Sequence, residues 1–168
     1  MSQEKDTANT LPDNGNLSAL NAESPENVGG MTRSMQNEAE EPKPPLRILV
    51  VEDDASLANV EADVLTACGY AVTLAGTGEL AVLAFRESIP DLVVLDLELP
   101  GSMTGWDVLQ VLRTYSMIPV LLTSSETSVR KRIRIRGETR STLDHLPKPY
   151  PLQALLKRIE SMLIIVPQ

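Results

Sequence analysis

Hydrophobic residues follow two alternating patterns from residue 46 towards the C-terminus. Short unbroken aliphatic runs, such as 48–51 and 92–95, are typical of strands buried on both faces of a parallel sheet. The segments between these runs carry apolar residues at helical spacing. The pattern predicts five strands and five helices in strict alternation. The predicted strands are 46–51, 70–74, 91–95, 120–123 and 142–146, and the predicted helices are 56–67, 78–87, 104–114, 127 or 128 to 136, and 151–163.

Five β/α units of this size predict one α/β domain, with a doubly wound parallel sheet covered by helices on both faces. Local signals set some of the helix boundaries. Ser56 is the expected N-cap of the first helix, and Gly69 is expected to end that helix in a left-handed conformation. In the second helix, we expect Leu80, Leu83 and Ala84 to face the core.

Composition divides the chain after residue 45. Residues 1–45 are rich in Asn, Ser, Glu, Pro and Gly, so they cannot bury enough apolar surface to offset the entropy of ordering. Eight acids against three bases give this segment −5 of the chain's net charge of −8. The sequence therefore predicts a disordered acidic N-terminal tail, 1–45, and a folded domain, 46–166. The tail is either a partner-binding or autoregulatory arm or a solvated extension with no specific role.

Charge and cysteine content exclude several classes of protein. A net charge of −8 argues against general affinity for nucleic acid. The single cysteine, Cys68, excludes an intramolecular disulfide, fits a reducing compartment and is expected to be a small core residue. No apolar run approaches the roughly 18 residues that span a bilayer, and the N-terminus lacks the apolar region of a signal peptide. We therefore expect a cytoplasmic protein without a membrane segment and, because only 164–168 follow the last helix, without a DNA-binding domain.

Acidic side chains follow two of the predicted buried strands. Asp96 ends the central strand before a Pro-Gly turn, and Glu52, Asp53 and Asp54 follow the first strand. The carboxyl ends of parallel strands meet at one edge of the sheet, where ligands bind. Clustered carboxylates there can hold a hard divalent cation, and Lys148, after the fifth strand, would complete a site for a phosphoryl group. Asp54 fits the role of a helix N-cap and stays outside the expected metal ligands.

These residues resemble the pattern of bacterial two-component response regulator receiver domains. The pattern comprises the acidic pair Glu52-Asp53, then Asp96, then Ser124 after the fourth strand and Lys148-Pro149 after the fifth. The resemblance covers about residues 46–163, and the segments 119–124 and 146–150 are most similar to receivers of hybrid histidine kinases. It implies a flavodoxin-like (βα)5 fold. It also implies phosphorylation of Asp96 by a histidine kinase or a histidine phosphotransfer protein.

The resemblance assigns a role to each residue of the site. Mg²⁺ is the implied cofactor, bound by the side chains of Glu52, Asp53 and Asp96 and by the backbone carbonyl of Glu98. Lys148 would bring a positive charge to a phosphate oxygen. Glu98 also places a charged side chain beside Asp96, where it would alter the lifetime of the phosphoryl group.

Two further residues are implied to form the switch. Ser124 and Thr123 both carry a hydroxyl, and alternation along the strand lets only one of them face the site easily. The family spacing from Pro119 favours Ser124. His145, three residues before the lysine, takes the place of the usual aromatic switch residue. It either reports pH or serves as a smaller ring in the same role.

The predicted fourth helix is strongly basic, with five cationic residues between 130 and 136. In receivers this helix, the fifth strand and the last helix usually form the output surface, so we expect an unknown output protein to bind there. The basic run is either a docking site, for an acidic partner or for the acidic tail, or a solvated helix face.

Together these features predict a stand-alone receiver that changes its partner binding when Asp96 is phosphorylated. One alternative is a receiver-like docking module that works without phosphorylation. Another is a small Mg²⁺-dependent phosphohydrolase with Asp96 as nucleophile and Glu98 as a second acid, although no cap domain is available to enclose a substrate. Apart from promoting its own phosphorylation and dephosphorylation, the chain is not expected to be an enzyme.

Overall fold

The computed structural model describes residues 41–164, in which strands and helices alternate in the predicted order. The strands are β1 Arg47–Val51, β2 Ala71–Ala75, β3 Leu92–Asp96, β4 Val120–Ser124 and β5 Leu143–Pro147. The helices are α1 Ala55–Ala67, α2 Gly78–Glu87, α3 Gly105–Tyr115, α4 Val129–Arg136 and α5 Leu152–Leu163. These bounds agree with the sequence-based prediction to within two residues.

All five strands are parallel and lie in the order β2-β1-β3-β4-β5. Because β1 lies beside β3, with Val51 paired with Leu95, the residues that follow both strands meet at the same edge. On the other side of β3, Asp96 pairs with Thr123 of β4, which pairs with Leu146 of β5. The predicted doubly wound fold is confirmed, and its strand order reverses between β1 and β3, where such sheets bind ligands.

The aliphatic residues of the strands pack in two layers, one on each face of the sheet. On one face, Leu95 packs in a cluster with Phe85 of α2 and Leu109 of α3. On the other face, Val94 packs with Ile159 of α5. Each fully buried side chain of this kind contributes about 1.5–3 kcal/mol to stability. The two layers therefore hold the strand ends, and the polar residues that follow them, in fixed positions.

Helix α1 begins after Asp54 and not at Ser56, so the predicted Ser56 cap is wrong. Oδ1 of Asp54 accepts hydrogen bonds from the backbone N–H groups of Ser56 and Leu57, at 2.9 and 3.2 Å. Asp54 precedes the serine by two residues and satisfies the first free donors of the helix, as expected of an N-cap. Gly69 follows the helix with a φ of 92°, which confirms its predicted left-handed conformation.

Helix α2 buries a different face from the one predicted. Leu80 and Leu83 are 52% and 55% exposed, and of the three expected residues only Ala84 packs partly against the core. The buried residues are Gly78, Ala81 and Phe85. A Cβ on Gly78 would lie 2.7 Å from the Cβ of Met103. The helix therefore approaches the loop before α3 through its smallest residue, which turns the leucines outward.

Cys68 is exposed, so its predicted place in the core is wrong. It follows the last turn of α1 as the C-cap, where its backbone N–H bonds to carbonyls of that turn. The apolar pattern of α1 has already ended at this position.

Parts of the predicted domain division lie outside the described residues. These are residues 1–40 of the predicted tail and the last two residues of the predicted domain, 165–166. Within 41–164, no helix combines the length and the apolar composition that crossing a membrane requires.

Candidate functional site

Three carboxylates converge at the carboxyl edge of the sheet. Glu52 and Asp53 follow β1, and Asp96 is the last residue of β3. An oxygen of each carboxylate lies within 4.8 Å of the others. Glu52 and Asp96 are only 5% and 1% exposed, whereas Asp53 is open to solvent. The structure thus brings together the three side chains that the sequence analysis named as metal ligands.

The ammonium group of Lys148 bridges the two buried carboxylates. Its Nζ lies 2.8 Å from Oε2 of Glu52 and 2.9 Å from Oδ2 of Asp96. Lys148 directly follows β5, and its backbone N–H donates to the carbonyl oxygen of Ser124 at 2.9 Å. The side chain and the backbone of Lys148 are therefore both anchored at this edge.

Burial and hydrogen bonding act in opposite directions on the charged groups of the site. Burial raises the pKa of the Glu52 carboxyl, and the hydrogen bond from Lys148 opposes this shift. Burial lowers the pKa of Lys148, but hydrogen bonds to Glu52 and Asp96 outweigh it, so that the pKa of the ammonium is raised. Lys148 is therefore charged at neutral pH. Its single ammonium contacts two of the three clustered carboxylates, so the carboxylates outnumber the cation. This excess of negative oxygen ligands fits a hard divalent cation.

Backbone N–H groups orient both buried carboxylates. Oδ1 of Asp96 accepts a hydrogen bond from the N–H of Glu98 at 2.9 Å, and Oε1 of Glu52 accepts one from the N–H of Asp54 at 3.1 Å. Each carboxylate thus binds the lysine through one oxygen and the backbone through the other. The side chain of Glu98 is exposed, and metal binding by its carbonyl oxygen stays a prediction.

Ser124 ends β4 at the same edge of the sheet. Its hydroxyl oxygen accepts a hydrogen bond from the N–H of Glu126 at 2.9 Å. Thr123 shares its strand face with Leu121, which packs in the same cluster as α5, so the two hydroxyls lie on opposite faces. The role of Ser124 towards a phosphoryl group stays a prediction, because its described contacts do not include Asp96.

His145 lies on β5, where it is buried and pairs in register with Leu122. Both nitrogens of its ring are buried, and the backbone of Ser124 lies beside the ring. Burial lowers the pKa of the imidazole, so the ring is neutral at neutral pH. A neutral buried ring is consistent with the predicted place of an aromatic switch residue, and the switch role itself stays a prediction.

Two features near the site were not predicted from the sequence. A Cβ on Gly105, the first residue of α3, would lie 2.2 Å from the backbone oxygen of Asp96. The helix can start against the end of β3 only because this residue is glycine. A glycine that follows a strand-end acid so closely is a sequence signal that could have predicted this contact. The second feature is a hydrogen bond between the Tyr150 hydroxyl and Oε1 of Glu61, at 2.6 Å. No sequence pattern connects these two residues, which are 89 positions apart.

The basic residues of α4 are exposed, and only Val129 of this helix is buried. The guanidinium of Arg132 lies 3.9 Å from the ring centroid of Trp106 at the start of α3. The cationic side chains of the helix are Arg130, Lys131, Arg132, Arg134 and Arg136. Solvent reaches all five, so the helix presents a basic face.

Solved structures of known receivers share this fold. The chemotaxis protein CheY4 of Vibrio cholerae is 26% identical to this chain, with a TM-score of 0.62 over 70% of this chain and 98% of CheY4. The receiver domain of the hybrid histidine kinase CckA is 32% identical, with a TM-score of 0.58 over 70% of this chain and 98% of that domain. Both neighbours confirm the predicted fold class.

Longer regulatory proteins contain a region similar to this chain. The DNA-binding response regulator MtrA of Mycobacterium tuberculosis is 40% identical over 117 residues, which are 70% of this chain and 50% of MtrA. The sensory transduction protein RegX3 of Mycolicibacterium smegmatis is 37% identical over 116 residues, or 69% of this chain and 50% of RegX3. The chain spans about half the length of these relatives.

These relatives correct the prediction about partners. The short segment after the last helix predicts that no DNA-binding domain is present, but MtrA, at 40% identity, is a DNA-binding regulator. The exclusion was therefore wrong, because the length of the chain is no argument about the partners of such regulators. The same reasoning removes the support for a stand-alone regulator.

The family resemblance itself is confirmed. The sequence model of the response regulator receiver domain matches residues 48–160, from β1 to most of α5. That range includes every strand end that contributes to the acidic site. The protein therefore belongs to the response regulator receiver domain family.

Proposed function

We propose that this receiver accepts a phosphoryl group on Asp96 from a histidine kinase or a histidine phosphotransfer protein. A carboxylate oxygen of Asp96 attacks the phosphorus of the donor phosphohistidine. The P–N bond breaks, its electron pair stays on the imidazole, and an acyl phosphate forms on Asp96. The observation that carries the proposal is the Lys148 ammonium, 2.9 Å from Asp96 and 2.8 Å from Glu52, because it fixes a positive charge at the acceptor carboxylate.

Glu52, Asp53 and Asp96 would hold Mg²⁺, with the backbone carbonyl of Glu98 as a further ligand. The convergence of the three carboxylates within 4.8 Å supports this ligand set. When bound, the ion neutralises negative charge on the acceptor and on the incoming phosphoryl group. Asp53 is the exposed member of the set, which leaves the site open to the water ligands that Mg²⁺ usually retains.

Lys148 and Ser124 would bind the phosphoryl oxygens. The lysine already contacts Asp96, so a small movement of its flexible side chain brings the ammonium onto an oxygen of the acyl phosphate. The Ser124 hydroxyl, at the end of the next strand, would donate a hydrogen bond to another oxygen. The resulting shift of β4, together with a change at His145 on β5, would alter how the domain binds its partners.

The two alternative functions differ in what they do with phosphate. A docking module that works without phosphorylation does not need a positive charge at Asp96. The contacts of Lys148 with the two buried carboxylates therefore favour the phosphoacceptor. A phosphohydrolase would release inorganic phosphate with turnover, whereas a receiver retains one phosphoryl group per chain for a measurable time.

The test is treatment of the full chain with Mg²⁺ and phosphoramidate, followed by intact-mass measurement. We expect a gain of one phosphoryl group, and we expect Asp96→Asn to abolish it because an amide cannot form the acyl phosphate. Asp91→Asn is the matched control, because Asp91 precedes the same strand at its opposite end and bonds to the backbone of Arg47. Persistence of the mass gain in Asp96→Asn, or its absence from the wild type, would contradict the proposal.

A further inference from the structure

A buried acid lies on α1, outside the group of carboxylates at the strand ends. Glu61 is 0% exposed, and its Oε1 accepts a hydrogen bond from the Tyr150 hydroxyl at 2.6 Å. Within the described part of the chain, Oε2 of Glu61 has no hydrogen-bond partner. An apolar pair of similar shape would be buried without this unsatisfied oxygen. The contribution of the pair to stability therefore does not explain why polar groups are placed here.

Tyr150 is connected to the site through a very short segment. It follows Lys148 by two residues, and Pro149 between them restricts the backbone. At one end of this segment the Lys148 ammonium contacts Glu52 and Asp96, and at the other end the Tyr150 hydroxyl contacts Glu61. Helix α1 thus holds the segment that carries the lysine.

The direction of the hydrogen bond is fixed by the two groups. Burial raises the pKa of the Tyr150 hydroxyl, and the neighbouring Glu61 raises it further. The hydroxyl therefore keeps its proton at neutral pH and donates it to Oε1. Burial also raises the pKa of the Glu61 carboxyl, while the bond from Tyr150 opposes that shift. In either protonation state Glu61 has an oxygen that accepts from tyrosine.

We propose that Glu61 is a positioning residue for the phosphorylation of Asp96. By holding the Tyr150 hydroxyl on α1, it fixes the segment 148–150 so that the ammonium of Lys148 rests on Asp96. The inference rests on the proposed function, since it concerns the rate at which Asp96 is phosphorylated. It also implies that the Lys148 ammonium is held in a fixed position before any phosphorylation takes place.

The test compares variants that separate positioning from stability. Tyr150→Phe removes the donor but leaves a buried acid unpaired, so it lowers stability as well. The double variant Glu61→Leu/Tyr150→Phe removes both polar groups, which leaves stability unchanged or higher. Glu61→Gln keeps an accepting oxygen. Tyr70→Phe is the matched control, because Tyr70 packs against the same core cluster and lies outside the segment.

Two measurements on the full chain are needed. The first is the rate of phosphorylation by phosphoramidate at saturating Mg²⁺, followed by intact mass. The second is the NMR signal of the Lys148 ammonium without Mg²⁺, assigned with Lys148→Met. We expect Tyr150→Phe and the double variant to react about tenfold more slowly and to broaden the ammonium signal, because small displacements of a positioned group cost large factors in rate. Glu61→Gln and Tyr70→Phe should match the wild type in the phosphorylation rate and in the ammonium signal.

The double variant decides between positioning and a purely structural role. If it is stable and shows the wild-type rate and ammonium signal, the inference is overturned. If Glu61→Gln is as slow as the double variant, the charge of Glu61 matters and not its hydrogen bond, and the inference is again overturned. If the wild type takes up no phosphoryl group, the proposed function fails. The ammonium signal then still supports or overturns the positioning of Lys148.

Discussion

The surroundings of Glu52 shift the pKa of its carboxyl in opposite directions. Burial raises the pKa of its carboxyl, whereas hydrogen bonds from Lys148 and from the backbone N–H of Asp54 lower it. Asp96 lies close enough to raise the pKa again. The folded protein thus holds together like charges that the unfolded chain keeps apart. A cation that cancels these charges binds the folded state and stabilises it.

At the scale of these residues, we expect Mg²⁺ to raise the Tm of the wild type and to raise it much less in Glu52→Gln/Asp53→Asn. A ligand that binds only the folded state stabilises it by about 2.7 kcal/mol at a concentration 100 times its Kd. Thermal melting with and without Mg²⁺ measures the effect. Asp63→Asn, an exposed acid of α1, should keep the full shift. Equal shifts in the wild type and the double variant would exclude Glu52 and Asp53 as ligands.

Some residues in and near the site could be placed from the sequence, and others could not. Glu52, Asp96 and Lys148 each follow or end a run of buried residues, so topology alone brings them to one edge. The bond between Glu61 and Tyr150 depends on how α1 packs against the segment after β5, and neither residue lies at a strand end. Their spacing along the chain carries no signal of that contact.

The spacing of apolar residues predicts that a segment is helical more surely than it predicts which face of the helix is buried. In α2 the leucines gave the most apolar face, but the contact surface is set by Gly78, which approaches Met103 and Val108. Close approach of the backbone requires a glycine, which has no side chain. A search for periodic hydrophobic residues therefore does not detect such a contact. The cap of α1 shows the same limit, because Asp54 and Ser56 are both common N-cap residues. Only the geometry of the turn decides between them.

The face of α2 can be tested with two residues of that helix. We expect Leu83→Ala to change the free energy of unfolding by less than about 0.5 kcal/mol, because an exposed leucine loses little packing. We expect Phe85→Ala to cost about 3–5 kcal/mol, because this ring is fully buried against the sheet. Urea unfolding of both variants measures the difference. A cost for Leu83→Ala close to that of Phe85→Ala would mean that the leucine side of α2 is the packed side.

At the scale of the whole molecule, charge is distributed unevenly. Residues 1–45 carry −5 of the net charge of −8, which leaves −3 for the rest of the chain. That remainder includes the acidic site at the strand ends and the basic face of α4. Net charge bears only on non-specific affinity for nucleic acid, and that expectation stays a prediction. Net charge could not exclude a DNA-binding regulator, because relatives such as MtrA match this chain over only half of their own length.

The predicted boundary at residue 46 can be tested by deleting the segment that precedes it. The described core clusters draw on residues 48–162, and residues 1–45 contain too few large apolar side chains to form a core. We therefore propose that 46–168 folds without the preceding segment, and we expect deletion of 1–45 to leave the Tm and the phosphorylation rate unchanged. A variant of the full chain with the eight acids of 1–45 replaced by Asn or Gln separates an effect of charge from an effect of deletion. A large loss of Tm in the deletion variant would mean that the first 45 residues contribute to the folded domain, and the boundary at residue 46 would be wrong.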